Sequence, residues 1–148
     1  MRVVIQRVSS ASVSIADKNV GEIGTGLMIL VGIETDDNQK DIDWLANKIS
    51  NLRIFSDSDG LMNLSLKDID GEILVISQFT LHAKTKKGNR PSYVKAARPE
   101  IAIPLYENFK LALTKAIGKK IKSGQFGANM QVALVNDGPV TIVIDSKD

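Results

Sequence analysis

The sequence predicts a mixed α/β, strand-rich domain with two main helices. Apolar residues recur in short β-branched runs closed by Gly, Asp, Asn or Pro, while two longer segments switch to a helical period. At 148 residues the chain has the length of one domain. No repeat, low-complexity tract or Pro/Gly/Ser-rich linker divides it, so residues 1–148 read as a single compact domain.

Residues 2–8 (RVVIQRV) and 11–16 (ASVSIA) predict two strands, with Asp17, Lys18 and Asn19 supplying turn chemistry before Val20. Residues 27–33 (LMILVGI) are a continuous apolar run bounded by Gly24, Gly26 and Asp36, the pattern of a strand buried on both faces. Ile42, Leu45, Ala46 and Ile49 then fall at i, i+3, i+4 and i+7, predicting an amphipathic helix over 38–50 with Asp36 or Asp37 as its N-cap. Residues 52–55 return to strand, and 56–60 (SDSDG) form a turn. Its Asp-x-Asp-Gly fragment lacks the later ligand positions of a calcium loop. Residues 72–81 (EILVISQFTL) read as a strand running into a polar terminus, and 84–98 as a loop punctuated by Pro91 and Pro99.

Leu105, Phe109, Ala112, Leu113, Ala116 and Ile117 mark a second helix over much of 100–118, with Gly118 as C-cap. Pro104 fits only near a first turn, so this helix begins at Ile103 or kinks. Two closing strands, about 130–135 and 140–144, flank Asn136-Asp137-Gly138-Pro139.

Composition excludes several classes of function. There is no cysteine, which removes disulfides, thiolate nucleophiles and Cys-based metal sites and fits a reducing compartment. No apolar run approaches the length that spans a bilayer, and the N-terminal residues lack a signal peptide's apolar core and cleavage site. A soluble cytoplasmic protein with no membrane partner is therefore expected. The net charge of +2 hides an asymmetry, since residues 1–83 hold 7 Lys/Arg against 12 Asp/Glu and residues 84–136 hold 11 against 2. Lys84, Lys86, Lys87, Arg90, Lys95 and Arg98 follow one another without an acid. Such a run attracts polyanions, nucleic acid among them, or forms a solvated basic face.

The single histidine, His82, cannot build a two-His metal site, and no carboxylates show metal or acid/base spacing. Strand alternation would put Gln78, Thr80 and His82 on one face, which raises a Ser/Thr-His arrangement, although a lone His at a strand end serves equally as a satisfied hydrogen-bonder. Ser77-Gln78-Phe79-Thr80 places polar side chains where a buried strand emerges. Such a terminus can offer N–H groups and hydroxyls to a substrate carbonyl, and an ordinary strand end with hydroxyls capping backbone groups has the same composition. Asn136-Asp137-Gly138-Pro139-Val140-Thr141 reads as a turn whose Gly-Pro bond is a candidate for cis.

Taken in order, these segments resemble the D-aminoacyl-tRNA deacylase family over Met1 to about Asp145. The resemblance rests on Met1-Arg2-x-Val-x-Gln6-Arg7-Val8, Gly21-Glu22-Ile23-Gly24, Leu52-Arg53-Ile54-Phe55, Ser77-Gln78-Phe79-Thr80-Leu81, Lys87-Gly88-Asn89-Arg90-Pro91-Ser92, Phe126-Gly127-Ala128-Asn129-Met130 and Asn136-Asp137-Gly138-Pro139-Val140-Thr141. It implies two β-sheets layered as α/β/β, a homodimer, tRNA as partner and no cofactor or metal. Ser77, Gln78, Phe79 and Thr80 would bind the aminoacyl ester and terminal adenosine, with Phe126 and Met130 walling the adenine. A cis Gly138–Pro139 would enter the partner subunit's site to exclude L-amino acids, held there by Arg7.

The expected reaction is hydrolysis of D-aminoacyl-tRNA, and a site that rejects L side chains by clash has no steric reason to refuse glycyl-tRNA. Backbone N–H donors would meet the oxyanion, and the tRNA 2′-hydroxyl would help activate water. On this account Thr80 positions substrate or water, and no role needs His82, which departs from the family's Tyr or Ala. A non-catalytic RNA-binding module using the basic region is the alternative, although no RRM stacking signature is present. A general esterase is disfavoured by the lack of Gly-x-Ser-x-Gly.

Overall fold

The computed structural model describes Met1 to Asp148. The elements run β1 (Arg2–Ile15), β2 (Lys18–Ile23), β3 (Gly26–Gly32), α1 (Gln39–Asn51), β4 (Phe55–Ser56), β5 (Met62–Leu64), β6 (Glu72–Ser77), a 3₁₀ turn (Phe79–His82), α2 (Pro99–Ile117), β7 (Lys122–Ser123) and β8 (Gln131–Asp145). This is the mixed, strand-rich α/β class with two helices. Six strands form one sheet in the order β2-β1-β3-β6-β7 with β8 also paired to β1, and β4 and β5 form a separate pair.

The large sheet makes two layers because β1 and β8 are long enough to serve both. The N-terminal half of β1 pairs with β3 and its C-terminal half with β2, while β8 runs antiparallel along nearly all of it. Register shifts against β8 fall between Gln6 and Val8 and between Val8 and Ser10. Such irregularities break the two-residue alternation and bend a strand. Val3 and Ile5 accordingly pack with Leu27, Ile29, Ile73, Val75 and both helices, whereas Val8, Ala11 and Val13 join Met28, Leu74 and Ile76 in a second core. Neighbouring residues of β3 and β6 thus feed opposite faces, which is why Leu27–Val31 and Ile73–Ile76 are unbroken apolar runs. Helices cover one face, and the distal parts of β1, β2 and β8 cover the other.

Several local expectations change. Ser9 and Ser10 are exposed but do not divide β1, and residues 130–144 form essentially one strand, because each long strand gives the other a continuous partner. The first hairpin turns at Ala16 and Asp17, with φ of 49° and 62°. This two-residue loop of type I′ character pairs Ile15 with Lys18. The N-cap of α1 is Asn38, not Asp36 or Asp37: its side chain accepts the Lys40 N–H while Asp41 accepts the Asn38 N–H. Asp37 is buried instead and pairs with the Met1 amine.

Helix α2 starts at Pro99, not Ile103, and continues through Pro104 without interruption. The missing N–H deprives only the Glu100 carbonyl, in an exposed first turn. Asp57 accepts the N–H groups of Asp59 and Leu61 and the Asn63 amide, so the acidic 56–60 turn is occupied by its own backbone.

Candidate active site

Strand β6 ends earlier than its sequence suggests. Its last partner on β3 is Val31, opposite Ser77, and the Gln78 N–H still reaches the Val31 carbonyl at 2.7 Å. With β3 exhausted one residue later, the chain turns into the 3₁₀ segment. Gln78 occupies the N-cap position without a side-chain capping bond. Its amide donates instead to the Thr80 hydroxyl oxygen at 2.6 Å. Residues 78–82 therefore do not alternate as a strand.

His82 closes the turn as a buried residue, 3% exposed. Its Nδ1 lies 3.2 Å from Glu34 Oε1 but out of hydrogen-bond alignment, and neither ring nitrogen has a hydrogen-bond partner. No bond joins His82 to Thr80, which removes the Thr-His arrangement. Arg2 holds the turn from the other side, donating to the Leu81 carbonyl at 2.8 Å while pairing with Asp145 at 2.8 Å.

A cavity of about 480 Å³ opens beside this strand end, within the usual range of small-molecule sites. Ser77, Gln78 and Phe79 line one wall, and Phe126 and Met130 another. Met28, Leu30, Ile76, Val132 and Leu134 make an apolar floor from the second core, and Ala97 and Ala102 also line the cavity. Five of the expected site residues thus meet in one place. Thr80 stands one residue beyond the lining, tied to it through Gln78. No group of three His, Asp or Glu side chains is placed so that it could hold a metal ion.

Arg7, Gly138 and Pro139 form a separate cluster. Between the pairs Val8↔Asn136 and Gln6↔Thr141, β1 has one residue and β8 has Asp137, Gly138, Pro139 and Val140. The surplus bulges outward, with Asp137, Gly138 and Pro139 exposed and the Gly138–Pro139 peptide cis. Arg7, 8% exposed, spans its base. Its Nε donates to the Asp137 carbonyl at 3.0 Å and its Nη1 to the Ile54 carbonyl at 2.6 Å. Gly138 has φ of 128°, and a Cβ there would sit 3.1 Å from Arg7 Nη2, so a side chain is disfavoured by conformation and by space. None of these residues lines the cavity of its own chain.

The sequence reading missed the cavity floor and the Ile54 carbonyl. The floor was legible in principle, since a strand buried on both faces must give one face to something other than the helices. A backbone carbonyl carries no sequence signal.

The model of the D-Tyr-tRNA(Tyr) deacylase family matches residues 4–145. A D-aminoacyl-tRNA deacylase of Flavobacterium psychrophilum is 66% identical over 148 residues, covering 100% of this chain and 99% of the relative. One of Porphyromonas gingivalis is 66% identical over 146 residues, covering 99% and 97%. Among solved structures, a c-Myc DNA unwinding element binding protein superposes with a TM-score of 0.92 at 42% identity, covering 98% of both chains. A probable eukaryotic D-amino acid tRNA deacylase shares the fold at a TM-score of 0.85 and 18% identity, covering 97% of both chains.

Proposed function

Since the chain belongs to the D-Tyr-tRNA(Tyr) deacylase family, we propose that its cavity receives the aminoacylated 3′ end of tRNA and that a second copy of the chain completes the site. The enzyme is a hydrolase, a D-aminoacyl-tRNA deacylase. Water adds to the ester carbonyl, the bond to the ribose oxygen breaks, and the free D-amino acid and the tRNA hydroxyl leave. Ser77, Gln78 and Phe79 flank the ester, and the start of the 3₁₀ turn directs N–H groups at the developing oxyanion. Phe126 and Met130 wall the terminal adenosine. Thr80, fixed by Gln78, orients ester or water, and the ribose 2′-hydroxyl helps activate the water.

The observation that carries the two-chain reading is the placement of the 137–140 bulge. Its Asp137, Gly138 and Pro139 are exposed, and it is pinned by Arg7 and absent from its own chain's cavity. In a homodimer each bulge enters the partner's cavity and sets Gly138 and Pro139 against the substrate Cα. A rigid backbone there clashes with an L side chain whatever its identity, so selection is by handedness and D side chains are broadly tolerated. Glycine presents nothing to clash, and glycyl-tRNA is accordingly a further substrate.

Subunit complementation tests this. Phe79→Ala with Gln78→Ala disables the cavity, and deletion of 138–139 disables the bulge. Random mixing gives half heterodimers with one intact site each, so activity on D-tyrosyl-tRNA returns to about a quarter of wild type. Two inactive parents whose mixture stays inactive, with heterodimers demonstrated, contradict the shared site. The RNA-binding alternative predicts tRNA affinity with no hydrolysis by any form.

A further inference from the structure

The segment after the 3₁₀ turn carries charge that nothing in the chain uses. Lys84 and Ser92 exchange two backbone hydrogen bonds of 2.8 and 3.0 Å, closing residues 84–92 into a projecting loop. Lys84, Lys86, Lys87 and Arg90 on it, and Arg98 beyond it, are exposed. Lys95, 4.0 Å from Glu34, is the one cation of residues 84–98 with an acidic neighbour. Directly after the closure, Tyr93 packs edge-on against Phe79, with ring centroids 5.0 Å apart at 73°. Both rings stay open to solvent, at 36% and 54% exposure. Phe79 also lines the cavity, so the aromatic pair leads from the cavity mouth to the basic loop.

Open aromatic faces beside unpaired cations are the chemistry of single-stranded nucleic acid binding, in which bases stack on rings and phosphates meet ammonium groups. Crowded cations repel one another, and a polyanion relieves that repulsion. We propose that Tyr93 and the 84–98 cations form a docking track for the unpaired nucleotides immediately upstream of the one in the cavity. Tyr93 stacks a base, and Lys84, Lys86, Lys87 and Arg90 face the phosphates. The track supplies affinity and direction, delivering the 3′ end to the cavity, and tolerates base identity because every base has a π face. This inference rests on the deacylase reading of the cavity.

The test is a ladder of D-tyrosyl esters, on adenosine, on the trinucleotide CCA and on tRNA, at 50 and 200 mM salt. Wild type gains about tenfold or more in KM from adenosine to CCA. Tyr93→Ala shrinks that ratio to within about threefold while holding kcat on the CCA ester, and Tyr93→Phe restores it. In Lys86→Gln/Lys87→Gln the salt slope of 1/KM on the CCA ester flattens by about 0.7 for each phosphate no longer neutralised. The proposal is overturned if wild type gains nothing from the two cytidines. It is also overturned if Tyr93→Ala raises KM equally on both esters, since Tyr93 then only shapes the cavity.

Should no ester be cleaved, the cavity reading fails, and fluorescence anisotropy with a single-stranded RNA ending in CCA decides the track independently. Affinity about tenfold weaker in Tyr93→Ala supports it. Unchanged affinity, or tighter binding of a blunt duplex than of the single strand, overturns it.

Discussion

Replacing Arg7 should loosen the 137–140 bulge far more than replacing the acid beside it. Arg7 donates to two carbonyls, that of Ile54 at 2.6 Å and that of Asp137 at 3.0 Å. Its contact with the Asp137 carboxylate, at 3.3 Å, involves a side chain that is 53% exposed. A hydrogen bond from a charged donor contributes about 1.5–3 kcal/mol, and a buried acceptor left unmade adds its desolvation cost. An exposed ion pair is worth about 0–1 kcal/mol. Ile54 is 7% exposed, so its carbonyl carries most of the loss, while the Asp137 carbonyl can turn to water. Arg7→Ala should therefore cost about 2–4 kcal/mol, which lowers Tm by about 5–15 °C in a chain of this size.

Arg7→Lys keeps the charge but not the fork that spans two acceptors, and should lose roughly half as much. Asp137→Ala should cost about 1 kcal/mol or less. The assay pairs thermal melts with kcat/KM on D- and L-tyrosyl-tRNA. A freed bulge admits more L ester and positions less D ester, so the D/L ratio of Arg7→Ala falls by about tenfold, equivalent to 1.4 kcal/mol. Equal damage from Asp137→Ala and Arg7→Ala would refute the carbonyl-anchor reasoning, as would an Arg7→Ala protein with unchanged Tm and unchanged D/L ratio.

Thr80→Val removes the acceptor of the Gln78 amide but leaves the turn, and should reduce kcat less than about a hundredfold. A loss near 10⁶-fold, the scale of deleting a nucleophile, would contradict a positioning role. Gly32→Ala puts a Cβ 3.0 Å from the Gln78 carbonyl oxygen and from the His82 ring. It should shift the 78–82 turn, lowering kcat together with about 1–3 kcal/mol of stability, and wild-type kinetics in that variant would show that the turn does not need its packing on β3. Burial pushes the Tyr106 hydroxyl up to about 12, while an unfolded tyrosine titrates near 10.0. Its contribution is complete below pH 10 and is lost as pH rises from about 10 through 12. The urea midpoint of wild type should thus fall more steeply over that window than that of Tyr106→Phe, and parallel curves would refute the assignment.

The architecture was legible wherever one element answers to one periodicity. Ile42, Leu45, Ala46 and Ile49 declared α1, and the unbroken apolar run of β3 declared a strand covered on both faces. The continuity of β1 and β8 was hidden because a bulge interrupts the alternation of side chains without interrupting the ladder. Pro104 misplaced the start of α2, since the sequence shows the missing donor but not that its acceptor lies in an exposed first turn. At the site, Ser77, Gln78, Phe79, Phe126 and Met130 were found through motif resemblance, not periodicity, because a functional strand end and an ordinary one are composed alike. The strand alternation that paired Thr80 with His82 failed because β6 leaves the sheet at Ser77, where β3 has only Gly32 left to offer, a tertiary fact with no local signature. Glu34, which meets the buried His82 ring, lies 48 positions away in sequence, and nothing at either position announces the other.

The most direct test of the central claim is the hydrolysis of matched D-tyrosyl- and L-tyrosyl-tRNA by the purified protein, with and without chelator. Rapid loss of the D ester alone, unaffected by chelator, is the predicted result. Equal loss of both esters would contradict selection by handedness, and no loss of either beyond the buffer rate would contradict the deacylase itself.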